Sequence, residues 1–468
     1  MQIKRFTLVN FRGIEHMELD FEGKKTVALV GVNGVGKSSI LDALAITLSN
    51  LTARIVNQAS KSRAISKDDI KVGAEYTRLK VVVGFQDERD VDWAIALNRK
   101  SGKHPKERSS DLALLKETAA SFEISAIHYE LVADKPIQLP LAVYYDVHRA
   151  VLDVPLRVRE RLVNTIDEGY DDALGHGGAD FKRFFIWFRN QEDLENEISR
   201  DLPGFRDHEL SAVRRAIEIF TGFKDVRVRR KPTLRMTILK GNLEFNVLQL
   251  SDGEKCLLAM VGDLARRLTL LNREVPDPLE GKGVVLIDEL DLHLHPGWQR
   301  TVVAKLERTF PNCQFIITTH SPQILGELPA EAVMLLKEGK YLGHPERSLG
   351  LRSGEVIEEL MGELAQNQNV SQQLRTIYRD LDDDDLESAQ ANLTQLREKV
   401  GKIPDVLEAQ ASIDSLRSLE EGGARGLSKK APNQGRSLNG KEKTAIRRTT
   451  STTAREAASR VSTSVRHS

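Results

Sequence analysis

Cysteine is scarce in this sequence, and no stretch has the composition of a leader peptide. The 468 residues include two cysteines, Cys256 and Cys313, with no CxxC pair and no His/Cys spacing typical of a metal site. A disulfide framework is therefore excluded by number. The N-terminal stretch has no continuous apolar core of the signal-peptide kind. No window approaches the roughly 20 apolar residues of a membrane span. These absences favour a soluble, cytoplasmic protein.

The sequence also has no excess of charge of either sign. Lys and Arg together number 68, and so do Asp and Glu. Any argument for nucleic-acid binding must therefore come from local stretches. "VRVRRK" at 226–231 puts Arg227 and Arg229 on one face of a strand, and residues 421–468 carry eleven Lys and Arg against three Glu. Such charge binds phosphate without sequence preference, but ordinary solvated charge explains it equally well.

Hydrophobic patterning predicts an α/β chain with helical additions. Strands or hairpins are expected at 17–21, 26–30, 78–97, 139–147, 234–250, 283–288, 314–320 and 332–343. A loop is expected over 101–120 and helices over 155–225, whereas the tail is too polar to bury a core. The predicted divisions are an N-terminal lobe (1–150), a helical insertion (151–230), a second lobe (231–350), a C-terminal helical region (351–420) and a disordered basic tail (421–468).

A glycine-rich stretch follows the apolar strand at 26–30. "GVNGVGKS" at 31–38 fits G-x-x-x-x-G-K-[ST], and apolar residues at helical spacing follow it. A strand before the motif and a helix after it are the context that identifies a P-loop. Its backbone amides surround phosphates. Lys37 would reach the β- and γ-phosphates, and the Ser38 hydroxyl would bind Mg²⁺.

Two later strands end in residues suited to phosphate chemistry. "VVLIDE" at 284–289 is apolar until its last two positions. Asp288 stands where a Mg²⁺-binding carboxylate belongs in a P-loop enzyme, and Glu289 is placed to polarise an attacking water as general base. "TTHS" at 318–321 ends the next strand, and His320 could hydrogen-bond a γ-phosphate.

A helix start at residue 251 admits two interpretations. In "QLSDGEKCLLAMVGDLARRL" at 249–268, Ser251 and Glu254 form the pattern of a capping box. Gly253 lies between them, and a helix start with free N–H groups is also an anion site.

Two further clusters of acids and histidines suggest other chemistry. Asp291, His293 and His295 alternate, as metal ligands on a strand would, but Pro296 and Gly297 follow at once and indicate a loop. "DLDDDD" at 380–385 could suggest a nuclease, but a helix follows it, and acids favour a helix N-terminus. We therefore expect neither a zinc site nor a nuclease centre.

Taken in order, these motifs resemble the ABC superfamily of ATPase heads and, within it, the SMC, RecF and OLD-like branch. The blocks "FFIWFRNQEDLEN", "LSDGEKCLLAMVGDLARRL", "VVLIDELDLHLHPGWQR" and "PNCQFIITTHSPQIL" are similar to the PtuA-type ATPases of bacterial anti-phage defence, found in Septu and in retron modules. The resemblance covers about 3–50 and 180–330 and implies an ABC-type head with a parallel-rich sheet and an N-terminal antiparallel β lobe. The basic tail matches no part of that family.

The resemblance assigns roles to individual residues. ATP and Mg²⁺ are the implied cofactors, with Ser38 and Asp288 on the metal, Glu289 as catalytic base and His320 as the switch histidine. Ser251, Gly253 and Glu254 would be signature residues acting on ATP bound by another subunit, and Asp291 would lie in a D-loop that touches it. The Q-loop residue stays open between Gln86 and the stretch 144–149. The nucleotide-binding residues are Gly31, Asn33, Gly34, Gly36, Lys37, Ser38, Ser39, Ser251, Gly253, Glu254 and Asp291.

The family resemblance also implies partners. Two heads would enclose two ATP molecules, and in PtuA-type systems a separate HNH nuclease (PtuB-like) does the cutting, with DNA or retron nucleic acid as a further candidate partner. About 210 residues without sustained heptads separate Lys37 from Ser251, unlike SMC-type repair ATPases, and nothing after 325 resembles the nuclease domain of OLD proteins. We expect a regulatory ATPase without its own nuclease. The alternatives are a RecF-like repair ATPase and an ATP-locked scaffold.

Overall fold

The computed structural model describes residues 1–58, 60–85, 89–102, 104–132, 138–147, 166–175, 181–362 and 366–428. The chain divides into two compact units, Met1–Ser353 and Gly354–Ser468. The strands, numbered along the chain, are β1 Gln2–Phe11, β2 Ile14–Asp20, β3 Thr26–Val30, β4 Tyr76–Gly84, β5 Asp90–Asn98, β6 Leu141–Tyr145, β7 Lys224–Arg229, β8 Arg235–Lys240, β9 Leu243–Asn246, β10 Gly283–Ile287, β11 Cys313–Thr318, β12 Val333–Lys337 and β13 Lys340–Gly343. The α-helices are α1 Lys37–Val56, α2 Ala113–Val132, α3 Phe181–Asp201, α4 His208–Thr221, α5 Asp252–Leu271, α6 Pro296–Gln299, α7 Val302–Thr309, α8 Pro322–Leu325, α9 Ser353–Glu359, α10 Gln368–Asp382, α11 Leu386–Val400 and α12 Pro404–Ser428.

The first unit is built on a six-stranded sheet with the order β13-β12-β3-β11-β10-β6. From β12 to β6 every neighbouring pair is parallel, and β13 alone pairs antiparallel. Strands β3, β6, β10 and β11 are buried at every position, as expected where helices or a second sheet cover both faces. The predicted α/β fold with a parallel-rich sheet is confirmed.

A four-stranded antiparallel sheet with the order β2-β1-β4-β5 forms the predicted N-terminal β lobe. Helix α1 packs against strands of both sheets. By length and composition this helix could cross a membrane, whereas the sequence analysis found no window close to a membrane span. However, 78% of its apolar window is buried inside the protein. Its composition is therefore that of a core helix.

The loop predicted over 101–120 is wrong in its second half, because α2 begins at Ala113. Leu115 and Ala119 are fully buried and four residues apart, so they lie on one helical face. Polar neighbours such as Lys116 and Glu117 make this short apolar stripe hard to recognise in the sequence. The prediction failed because helix formation here depends on packing against α1 and β5.

The second unit contains the bundle α10–α12, whose apolar faces pack on one another. Its core residues are Leu374, Ile377, Leu381, Ala389, Leu393, Leu396, Val406, Ala409 and Ile413. Asp385 begins α11 by accepting a hydrogen bond from the Ser388 N–H (3.0 Å). Helix α12 continues to Ser428, past the division predicted at 421; once a helix is nucleated, each added residue costs little. The tail from 429 lies outside the described residues, and the five-part division of the chain stays a prediction.

Candidate functional site

The P-loop connects β3 to α1. Gly34 and Gly36 have φ angles of +81° and +105°, which glycine adopts without steric strain. A Cβ on Gly31 would lie 2.3 Å from the Leu336 carbonyl oxygen, so the backbone passes where a side chain does not fit. Gly36 is the N-cap of α1, and no side chain caps the first turn. The amides of that turn are therefore oriented for an anion.

Lys37 lies at the centre of this loop with 7% of its surface exposed. Its Nζ donates hydrogen bonds to the carbonyl oxygens of Gly31 (2.7 Å) and Val32 (3.2 Å). Burial lowers the pKa of Lys37, and three nearby carboxylates act in the opposite direction; they belong to Asp288, Glu289 and Asp291. The structure thus brings the lysine and the predicted acids together. Among the polar residues near it, Asn33 and Ser38 are exposed, and Ser39 is half-buried.

One hydroxyl holds the acidic end of β10. Thr318 Oγ1 donates to Asp288 Oδ1 (2.5 Å) and accepts from the Glu289 N–H (2.7 Å). Glu289 has a φ of +47°, a left-handed conformation that is uncommon outside glycine and concentrates at functional sites. Thr318 therefore fixes both acids, although the sequence interpretation gave it no role.

Asp146 is a second carboxylate beside Asp288. Tyr145 pairs with Ile287, and the Asp288 N–H donates to the Tyr145 carbonyl (2.9 Å). Asp146 and Asp288 therefore follow neighbouring parallel strands in register, which places them on one face. Burial, followed by the charges of Asp288, Asp42 and Asp146, raises the pKa of Tyr144.

This position bears on the Q-loop prediction. Of the two candidates, Gln86 lies outside the described residues. The second candidate is the stretch 144–149, of which residues 144–147 are described. This part contains Asp146, which is buried beside the site.

The loop after Glu289 is tied to the loop after β11. Asp291 Oδ1 accepts hydrogen bonds from Thr319 Oγ1 (2.5 Å) and from the His320 N–H (3.1 Å). Gln299 adds a second tie, donating to the Leu294 carbonyl (2.9 Å) and accepting from Ser321 Oγ (2.7 Å). Asp291 thus positions the backbone of His320 in its own chain, and its contact with another subunit stays a prediction.

The neighbouring histidines do not gather around a metal. His295 Nδ1 accepts from the Gly297 N–H (3.2 Å) and caps α6, and His293 is exposed. Within the described residues, no group of three or more His, Cys, Asp or Glu side chains could hold a metal ion.

The helix start at 251 is a capping box in the structure. Ser251 Oγ accepts from the Glu254 N–H (3.4 Å), and Glu254 Oε2 accepts from the Ser251 N–H (3.0 Å). Burial favours a higher pKa for Glu254, but hydrogen bonds from Lys240 and Ser251 outweigh it and hold the pKa below its usual value. A Cβ on Gly253 would lie 2.3 Å from the His293 carbonyl oxygen. The start of α5 therefore packs against the loop that follows Glu289.

Helix α5 is also bonded to the strand that leads to Asp146. The Tyr145 hydroxyl donates to Asp263 Oδ2 (3.0 Å), and Arg267 Nε donates to the same oxygen (2.8 Å). Arg266 binds the other oxygen of Asp263 (3.0 Å). These α5 side chains are at most 1% exposed, so the cluster is an internal link between β6 and α5.

The candidate DNA-binding arginines are paired with acids. Arg227 contacts Asp225, and Arg229 forms two hydrogen bonds with Glu244 (3.0 and 3.1 Å). Their charge is therefore balanced locally, which favours the interpretation of ordinary surface charge.

Comparison with known proteins finds one family model and several relatives that match this chain. The family described as "AAA domain, putative AbiEii toxin, Type IV TA system" matches residues 27–326. The retron Ec83 probable ATPase of Escherichia coli is 31% identical over 78% of this chain and 77% of its own length. The Septu protein PtuA of Bacillus thuringiensis is 25% identical over 69% of this chain and 72% of its own.

Among solved structures, the SMC head bound to the C-winged helix domain of ScpA is 15% identical, with a TM-score of 0.40 over 75% of this chain and 99% of that one. The family match spans more than half of the chain and contains the P-loop, the acidic strand end and the His320 loop. The chain therefore belongs to this family and is an ATPase related to the retron ATPases, with similarity to Septu PtuA.

Proposed function

We propose that this chain binds ATP with Mg²⁺, hydrolyses it, and through ATP-dependent pairing of two heads regulates an HNH-type nuclease in bacterial anti-phage defence. The hydrolytic part rests on one observation, the joint hold of Thr318 on Asp288 and Glu289 in the electrostatic field of Lys37. The defence part is supported by the retron and Septu relatives. The proposed location is the cytoplasm.

The P-loop would bind the triphosphate mainly through its backbone. Lys37 would exchange its carbonyl partners for the β- and γ-phosphates, whose negative charge opposes the effect of burial on its pKa. The positions whose backbone or side chain would face the phosphates are Gly31, Asn33, Gly34, Gly36, Ser38 and Ser39.

Ser38 and Asp288 would hold Mg²⁺. Their hydroxyl and carboxylate oxygens are donors that this ion prefers, and Asp146 offers a second carboxylate on the same face. Bound Mg²⁺ neutralises charge that develops on phosphate oxygens. Thr318 would orient Asp288 for this task, because its hydroxyl holds Asp288 Oδ1 (2.5 Å).

Glu289 would act on the attacking water. Thr318 fixes the Glu289 backbone in the left-handed conformation. The chain therefore leaves the strand direction at Glu289, and the carboxylate would be held in a defined direction. His320, held through its N–H by Asp291 (3.1 Å), would donate to the γ-phosphate. A general base positioned in this way contributes on the order of 10²–10⁴ in rate.

The second head would complete each site. Ser251 is exposed, although Gly253 beside it is buried against the loop after Glu289. A partner's γ-phosphate could therefore meet the start of α5, whose N–H groups attract anions. Ser251, Gly253 and Glu254 would act in trans, and movement of the loop after Glu289 would reach them directly.

The nuclease claim is tested with the purified chain and a PtuB-like HNH nuclease. With ATP and Mg²⁺, the chain alone should hydrolyse ATP and leave DNA intact, and cleavage should appear when the HNH protein is added. Nicking that survives rigorous purification, and disappears when Asp382 to Asp385 are changed, would overturn the absence of an intrinsic nuclease. DNA-stimulated ATP hydrolysis without any nuclease partner would favour the RecF-like alternative.

A further inference from the structure

A basic loop on the antiparallel lobe has no part in the ATPase site. Residues 99–108, "RKSGKHPKER", contain five Lys and Arg against one Glu in a chain whose total charges balance. The loop follows β5 and precedes α2. A cavity of about 320 Å³ opens between it and the turn before β4. None of the residues that line this cavity belongs to the P-loop group.

Hydrogen bonds hold both ends of the loop, at Arg99 and Arg108. Asn98 Nδ2 donates to the Arg108 carbonyl (2.8 Å), which closes the loop onto the end of β5. Arg99 donates to the carbonyl oxygens of Ala74 (2.9 Å) and Ile70 (3.2 Å). These bonds organise the cationic groups in advance, so that a ligand would not have to order them.

The charges that face the cavity do not cancel. Its one carboxylate within the described residues is Glu75, which pairs with Arg108 (2.7 Å). That hydrogen bond, together with the charges of Arg108 and Lys100, lowers the pKa of Glu75. Arg99 is bonded to carbonyls and has no carboxylate partner in the described chain, and exposed Lys100 likewise forms no ion pair there. Two positive charges are left over.

The contrast with 226–231 shows why this loop is the stronger candidate. There Arg227, Arg229 and Arg230 are each paired with at least one acid. At the cavity, the Arg108 guanidinium also lies over the Tyr76 ring, 4.8 Å from its centre. This contact holds Arg108 in place in the cavity wall. A concave, preorganised and uncompensated cationic surface attracts phosphates.

We propose that this cavity and its basic loop bind the phosphate backbone of a nucleic acid strand. Arg99 and Lys100 would contact one phosphate in the cavity, and Lys106, exposed further along the same loop, would meet a neighbouring one. Contacts of this kind are independent of base sequence and strongly dependent on salt. This function goes beyond ATP hydrolysis and would give the head a nucleic-acid surface on its antiparallel lobe.

The test measures binding of the full chain to a labelled 30-nucleotide single strand by fluorescence anisotropy across a salt series. Arg99→Ala/Lys100→Ala should weaken binding on the order of tenfold and reduce the slope of log K against log[salt] by about 1.4, two phosphate contacts at 0.7 each. Lys100→Ala alone, which breaks no hydrogen bond of the described fold, should give about half of that change in slope. The matched control is Arg227→Ala/Arg229→Ala, which removes the same charge and should leave binding unchanged.

Two results would overturn the proposal. One is equal loss of binding in the control pair, which would make the effect one of net charge alone. The other is a raised KM for ATP in Arg99→Ala/Lys100→Ala with strand binding intact, which would assign the cavity to the nucleotide. Because the ATPase rate of the parent is measured alongside, failure of this proposal is distinct from failure of the ATPase assignment.

Discussion

At the scale of single residues, Thr318 decides how the acids after β10 are presented. Its hydroxyl donates to Asp288 and accepts from the Glu289 N–H. Thr318 can do so because Ile317 pairs with Ile287 in parallel register, which puts the next residue of β11 beside Asp288. A single side chain thus couples the proposed metal ligand to the proposed catalytic base.

Thr318→Val should slow ATP hydrolysis without abolishing ATP binding. Valine keeps the shape but removes the hydroxyl that Asp288 and the Glu289 N–H bond to, and we expect a loss of about 1–3 kcal/mol in all. Since 1.4 kcal/mol corresponds to tenfold, we expect kcat to fall roughly ten- to a hundredfold and the Mg²⁺ requirement to rise. Steady-state hydrolysis over a Mg²⁺ titration measures both.

The matched control for Thr318→Val is Thr309→Val. Thr309 is also buried, and its hydroxyl donates to the Lys305 carbonyl (2.7 Å) far from the acids in sequence. It should lower stability by a similar amount and leave kcat unchanged. If both variants lose activity equally, Thr318 is only a structural residue.

The residues that the sequence could predict are those whose motif is contiguous. Asp288 and Glu289 directly follow β10, and Lys37 and Ser38 begin the helix that follows the glycine-rich loop. Thr318 and Asp146 could not be predicted in the same way, because their positions depend on which strands are neighbours and on the register between them. For Asp146 the available signal was the acid directly after the apolar run 139–145.

At the scale of elements, α5 connects the two ends of the proposed mechanism. Its first turn carries Ser251, and its middle is bonded through Asp263 to Tyr145 at the end of β6. Burial and then the Asp263 carboxylate raise the pKa of Tyr145 well above its usual value, so the phenol stays protonated and donates. A shift at the end of β6 would therefore be transmitted to the helix whose start we propose to meet another subunit.

Tyr145→Phe should reduce ATP turnover roughly five- to tenfold with little change in ATP affinity. The hydroxyl is lost while the ring still fills its place, and a buried hydrogen bond of about 1 kcal/mol corresponds to a change of that order. Turnover and nucleotide binding are measured separately on the same preparation.

Tyr170→Phe is the control for Tyr145→Phe. Its buried hydroxyl donates to the Pro140 carbonyl (2.9 Å), so the loss of stability should match while turnover stays at the parent rate. Equal loss of turnover in both variants would show that the link from Tyr145 to Asp263 serves stability alone.

Most elements follow from local patterning, and the exceptions have a common cause. The run "TVALV" predicts β3 at its exact bounds, Thr26–Val30, because a buried parallel strand is apolar throughout. Helix α2 was missed since its buried face is narrow and only its neighbours reveal it. The apolar faces of α10 and α12 cover each other in the bundle.

At the scale of the whole molecule, the proposed unit of function is a pair of heads. The chain supplies a P-loop, an acidic strand end and a helix start, and the last is exposed at Ser251. A sequence gives the residues of each proposed half-site, but the proposed pairing would complete the site with a second copy of the chain. Experiments with mixed subunits therefore test whether two copies of the chain form one ATP site together.

Mixing Lys37→Ala with Ser251→Arg should restore part of the activity that each variant lacks. Lys37→Ala removes a phosphate contact from its own site, and Ser251→Arg blocks the site on the partner. A hybrid pair has one intact site and one doubly altered site. ATP hydrolysis by the mixture, compared with each variant alone at the same total concentration, measures the recovery, and normal hydrolysis by Ser251→Arg alone would reduce this serine to a helix cap.

The central claim is that two heads close around ATP that Glu289 then helps to hydrolyse. The most direct measurement follows the mass of the Glu289→Gln variant and its phosphate release together, after addition of ATP and Mg²⁺. The account predicts a stable ATP-dependent increase in mass to a dimer or higher assembly, and turnover reduced on the order of 10²–10⁴, while the parent returns to its starting mass as ATP is consumed. Hydrolysis at the parent rate, with no lasting assembly, would contradict both the role of Glu289 and the pairing of heads.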